Sequence, residues 1–141
     1  MKTKTFFVLC LLLGFGLTQG SAQSYSYWEV WDQYAINVYC DGELVDNLTG
    51  ETNVHTILHF NNQDELVWAR QQFNGELTSN ITGEGFTVTD EFVFDEIVGT
   101  GTGHCNLIGD AGSHYILTYT WDPLILVDYG LTIVTANCIG E

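Results

Sequence analysis

Gly85-Phe86-Thr87-Val88-Thr89-Asp90-Glu91-Phe92-Val93-Phe94 is the stretch on which the fold class turns. Phe86, Val88, Phe92 and Phe94 fall on one side, and Thr87, Thr89, Glu91 and Val93 on the other. A repeat of two is the period of a strand, whose side chains alternate between faces. β-Branched and aromatic residues also suit a pleated, half-buried surface.

Working outward, the same texture recurs. Tyr25 to Tyr39 is rich in aromatic and β-branched residues, and its end alternates Ile36, Val38 and Cys40 against Asn37 and Tyr39. Asp41-Gly42 is a turn pair, and Asn47 to Gly50 reads as a polar loop. Val54, Leu58 and Phe60 share a face opposite His55, Ile57 and His59. Thr102 to Ile108, Tyr115 to Trp121 and Leu124 to Cys138 complete the set, the last run long enough to bend at Gly130. Asn62 to Gly75 supports two readings. As a helix it has Asn62 as N-cap, Glu65 three residues on, and Leu66, Ala69 and Phe73 as an apolar stripe. As a strand it has Val67, Ala69 and Phe73 on one face and Leu66, Trp68 and Arg70 on the other. The strand fits better, because Phe60 and Leu66 then flank a short hairpin loop, Asn61 to Glu65. The expected fold is all-β: a single antiparallel β-sandwich or small β-barrel of about seven to eight strands.

The first residues read as a secretory signal peptide, residues 1–22. Lys2 and Lys4 precede an apolar run, Phe6 to Leu17, and Gly20-Ser21-Ala22 forms a small-residue cleavage site. The run is shorter than the roughly 20 residues of a membrane span, so the expectation is a secreted or periplasmic domain, 23–141, with no membrane insertion in its mature form. That domain retains 18 carboxylates and one cation, Arg70, for a formal charge of −17. Nucleic acid is excluded as a partner, since binding it requires Lys and Arg to neutralise phosphates. Spread evenly, the net charges would lie about 20 Å apart, beyond the ~8 Å screening length, so the acidity speaks of environment more than of a patch. Arg70, alone among the acids, is expected to be held by one or more carboxylates.

Cys40, Cys105 and Cys138 remain after the leader, which allows one disulfide and one free thiol. Cys40 with Cys138 is the expected bridge, because Cys40 ends a strand before the Asp41-Gly42 turn and Cys138 ends the last apolar run. Cys105, mid-strand, reads as a small buried apolar side chain. Cys40, Trp68 and Cys105 follow the order of an immunoglobulin domain, but Gly103 stands where the tyrosine corner would be, and that reading is rejected. The leader ending Gly20-Ser21-Ala22-Gln23 ahead of a short acidic β-domain resembles the small secreted β-proteins of Bacteroidetes type, a resemblance that implies no functional residues. Asn47-Leu48-Thr49 and Asn80-Ile81-Thr82 match the N-glycosylation pattern of a eukaryotic exported protein and are read as loops.

No catalytic constellation emerges. Ser24, Ser26, Ser79 and Ser113 sit in no nucleophile elbow. Asp64-Glu65, Asp90-Glu91 and Asp95-Glu96 are pairs expected by chance among 18 acids. Gly99 to Gly103 reads as a hairpin connection, and Gly109-Asp110-Ala111-Gly112 is the best single contributor to a calcium site. No cofactor or metal is implied. His55 and His59 lie about 13 Å apart along a strand, too far to share a zinc ion unless His104 and a neighbouring strand close the gap. The remaining lead is aromatic. Trp28, Trp31, Trp68 and Trp121, with His55, His59 and His104, are the candidate ligand-binding residues, because rings beside polar groups serve both sugar faces and apolar pockets. The expected function is non-enzymatic binding of a small molecule, glycan or protein. The alternatives are a structural protein pairing through edge strands and a metal-assisted enzyme using the histidines.

Overall fold

A computed structural model describes residues 21–122 and 131–139. The expected leader, except residues 21 and 22, and the Gly130 bend lie outside the described residues. The described residues form seven strands: β1 (Gln23–Cys40), β2 (Glu43–Phe60), β3 (Leu66–Ser79), β4 (Gly85–Asp95), β5 (Thr100–Gly109), β6 (His114–Trp121) and β7 (Leu131–Ile139). They make one antiparallel sheet in sequential order, each strand paired with the next. Among the described residues there is no helix, hence none long and apolar enough to cross a membrane.

The strand reading of residues 62–75 is the correct one. Asn61 closes the β2–β3 turn through a backbone hydrogen bond to Glu65 (2.9 Å) and side-chain acceptance from the Gln63 and Glu65 amides. That side chain gives Asn62 to Glu65 a turn instead of a helical start. Two other expectations are corrected. Asn47 to Gly50 is no loop but the middle of β2, and Gly101 and Gly103 belong to β5, leaving Gly99 (φ 76°) to make the turn. Polar and glycine residues read as breakers locally, yet long-range pairing with β1, β3, β4 and β6 keeps them extended. Asp41 (φ 53°) and Gly42 (φ 84°) form the expected left-handed hairpin pair.

Glycines and a bulge bend the sheet. β1 gains an extra residue between Trp31 and Tyr34, opposite Gly50 and Thr52 of β2. A side chain at Gly50 would strike the Glu76 carbonyl, and one at Gly75 the Glu51 carbonyl, so the backbones of β2 and β3 crowd each other beside the bulge. On β5, Gly101 and Gly103 are covered by rings, Phe92 over the first and Tyr119 over the second.

Curling gives the sheet an inside. Val38, Leu48, Leu77, Phe86, Val88, Cys105, Leu107 and Leu117 pack there, with Tyr115, Tyr119 and Ala136 beside them. Phe86 to Phe94 faces as its alternation predicts. Cys40 and Cys138 form the expected disulfide, with Cα atoms 6.3 Å apart, and Cys105 is free and buried. A sequential antiparallel sheet with an odd number of strands has its first and last strands running the same way. The bridge therefore ties two parallel edges, β1 and β7, which are not hydrogen-bonded neighbours in the sheet order.

Candidate functional site

The seven candidate side chains divide by strand phase. Trp31 and Trp121 fall on the inner face: Trp31 packs edge-on against Phe73 (5.3 Å between centroids) and Trp121 against Phe94 (5.4 Å). Trp28, His55, His59, Trp68 and His104 fall on the outer face. Register joins the first four as two separate pairs on β1–β3, Trp28 with His55 and His59 with Trp68. Trp28 stacks on His55 with centroids 4.3 Å apart and planes 4° from parallel. Trp68 stacks on His59 at 5.3 Å and 15°. Ser24 Oγ lies 2.9 Å from His59 Nδ1, fixing that ring from a third strand position. Trp28 stays 66% exposed, so its ring presents surface to solvent.

A polar row extends from the first stack. Trp28, His55, Gln72, Glu91 and His104 are successive register partners across β1 to β5. Strand spacing near 4.8 Å puts His104 about 14 Å from His55, so the row does not gather these histidines round one ion. Among the described residues no group of three potential ligands could hold a metal ion. Glu91 accepts from Arg70 and, at 3.3 Å, from Gln72 Nε2. The guanidinium hydrogen bond holds the Glu91 carboxyl below the ordinary range, more than its slight desolvation raises it. Arg70 is thus paired as expected, but both side chains of the ion pair are about 40% exposed (39% and 43%), where such a pair contributes little to stability. The destabilisation expected on removing Arg70 is correspondingly small.

A second polar cluster, on the inner face, escaped the sequence reading. Asp90, 3% exposed, accepts hydrogen bonds from Tyr34 (2.8 Å) and Tyr119 (3.0 Å). Its pairing with Glu91 in sequence is broken by the pleat, which sends Asp90 inward and Glu91 outward. The available signal was phase, since Asp90 alternates with the apolar Phe86, Val88, Phe92 and Phe94. Burial pushes its carboxyl up, and the two phenols offset part of that. Cys105, its partner on β5, has its thiol raised by the same burial and stays protonated, so it is no nucleophile. Asp46 is likewise buried, accepting from Ser79 Oγ at 2.6 Å and the Asn47 amide at 2.8 Å.

The Asp90 shift carries a sign. Its folded value lies above its ordinary 3.8, so its contribution to stability is present in acid and is lost as pH rises from about 3.8 through the folded value. Asp90→Asn removes that titration. Wild type should lose stability relative to the variant as pH rises above about 4, read by urea denaturation at several pH values; a constant difference would contradict the burial account.

The other expected sites resolve structurally. Glu84 accepts from the Ala111 amide (2.9 Å), the Ser113 amide (3.2 Å) and Ser113 Oγ (2.7 Å), so the Gly109–Gly112 turn points its donors at a carboxylate. Asn47 lies in β2, and its side chain bonds Asn37 and Asn80, correcting the loop assignment of that glycosylation pattern. A shallow open depression of about 380 Å³ adjoins His59, Asn61, Asn62, Gln63 and Val67 beside Ala22.

Comparison with family models, curated proteins and solved structures returned no match.

Proposed function

We propose that the protein is an exported, secreted or periplasmic, non-enzymatic binding domain that holds a glycan on the outer face of β1–β3. The single observation carrying this reading is the pair of stacks, Trp28 on His55 and Trp68 on His59, set about 13 Å apart along β2 on one outer face. Flat rings suit the apolar CH faces of a sugar ring, while Gln72, Glu91, Arg70 and Ser24 offer donors and acceptors at its rim. A small molecule enclosed in the sheet's interior has less support, because that face is filled at the bridged end by the apolar cluster and Asp90. The curl that brings Cys40 to Cys138 supports a barrel-like reading over a sandwich. Export, and a mature form outside the membrane, rest on the leader and agree with the disulfide.

A glycan array followed by calorimetry with each retained oligosaccharide tests the reading. Trp28→Ala and Trp68→Ala should each weaken binding about tenfold or more, about 1.4 kcal/mol, while Trp31→Phe on the inner face leaves it unchanged. Absence of any retained glycan, or equal binding by the outer-face variants, would overturn it.

A further inference from the structure

The pleat sorts charge on the outer face of β1–β3. Alternate positions from 24 to 30 on β1, 53 to 59 on β2 and 68 to 74 on β3 point outward together, row by row. None of them is Asp or Glu, in a chain that has 18. Outward carboxylates begin only beyond this patch, at Glu91 and Asp95 on β4 and at Glu51 and Glu76 one row further along β2 and β3; Glu29, beside Trp28, has inward phase. More distant acids act across a screening length of ~8 Å at physiological salt, so they repel an anion on this patch weakly.

At the centre stands Arg70, the only Lys or Arg after residue 22. It pairs with Ile57, which places it one row from each stack, about 7 Å along the strands. Its guanidinium is incompletely used. Nη2 donates to Glu91, whereas Nε is buried without a hydrogen-bond partner. A guanidinium can give a carboxylate two parallel N–H groups, and Glu91 takes one. Glu91 also accepts from Gln72 Nε2 at 3.3 Å, so it keeps a donor when Arg70 leaves.

Trp28 and Trp68 stand on opposite sides of β2, their Cα positions about 16 Å apart on the strand lattice. The line between them passes over Ile57 and Arg70, and no single sugar ring covers it. This step rests on the glycan reading above: we propose that the ligand is a linear oligosaccharide of uronic-acid type. Its outer rings lie on Trp28 and Trp68, and a carboxylate between them takes Arg70 in place of Glu91. A neutral chain has nothing to replace Glu91, so the exchange makes the face selective for acidic sugars.

The full chain with its disulfide intact is offered linear uronic-acid oligosaccharides of increasing length, each beside the same oligosaccharide with its carboxyls reduced to hydroxymethyl groups, on an array with neutral and sulfated glycans and then by calorimetry. Acidic forms long enough to reach both tryptophans should bind about tenfold or more tightly than their reduced partners. Arg70→Gln should erase that preference with melting little changed. Glu91→Gln, which removes the internal competitor, should strengthen binding of the acidic forms. Equal binding of acidic and reduced forms, a preference that survives Arg70→Gln, weaker acid binding in Glu91→Gln, or retention of neutral or sulfated glycans ahead of uronates would each overturn this inference and leave the glycan reading standing. Retention of no saccharide at all would overturn both.

Discussion

Removing the Cys40–Cys138 bridge, by replacing both cysteines with alanine, should lower the stability of the protein by roughly 4 to 5 kcal/mol in the chain-entropy model. The bridge spans 98 residues of sequence, close to the whole described sheet, so cutting it frees most of the chain in the unfolded state. Domains of this size hold only about 5 to 15 kcal/mol in reserve, so the loss is a large share of the whole. There is a folded-state consequence as well. β1 and β7 are parallel edges at the two ends of the hydrogen-bonded order, and the bridge is the covalent tie between them. Hydrogen exchange should therefore rise first along β7 and the Tyr34–Cys40 end of β1, while β3 and β4 keep their protection. Urea unfolding of the double variant beside wild type measures the first effect, and an unchanged midpoint would show that the edges hold without the bridge.

Gly75→Val is the second change with a large expected effect, about 3 kcal/mol or more as an overpacking substitution. The added carbon meets backbone: the Glu51 carbonyl and the Cα of Thr52. A side chain can rotate away, but paired β-strand backbone can yield only by opening the β2–β3 ladder, which the register runs straight through at Thr52 and Gly75. Gly50 and the Trp31/Tyr34 bulge lie beside it, so the corner involves three strands and cannot relax in one. Gly85→Ala is the control, since its added carbon would meet only the side-chain end of Asp110, at 3.2 Å, and should change stability little. Equal midpoints for Gly75→Val and wild type in urea would remove the corner from the account of the fold.

Much of the strand pattern was legible because alternation is a local property. Phe86 to Phe94 and Val54 to Phe60 face as their phase predicts, and the same pattern separates Trp28, His55, His59 and Trp68 from Trp31. Where local signals are conformational preferences instead of phase, they misled. Asn47, Gly50, Gly101 and Gly103 read as breakers, yet they are held extended by partners far away in sequence, with Gly50 needed where β3 approaches and Gly103 where Tyr119 lies. Phase also marked Asp90 as inward, but no local rule says that Tyr34 and Tyr119 will reach it from strands 56 and 29 residues away.

The acidic charge, the β class, the free thiol at Cys105 and the Cys40–Cys138 pairing were all readable in the sequence, since each follows from residue type, spacing or alternation. Register and curl were not, because they arise from pairings summed across the whole sheet. Register sets Trp28 on His55, Trp68 on His59 and Gln72 against Glu91, none of which follows from the spacing of those residues in the chain. Curl brings the two ends of the described sheet together at the Cys40–Cys138 bridge, while the aromatic residues Tyr25, Tyr27, Trp28 and Trp31 at the other end of β1 stand exposed.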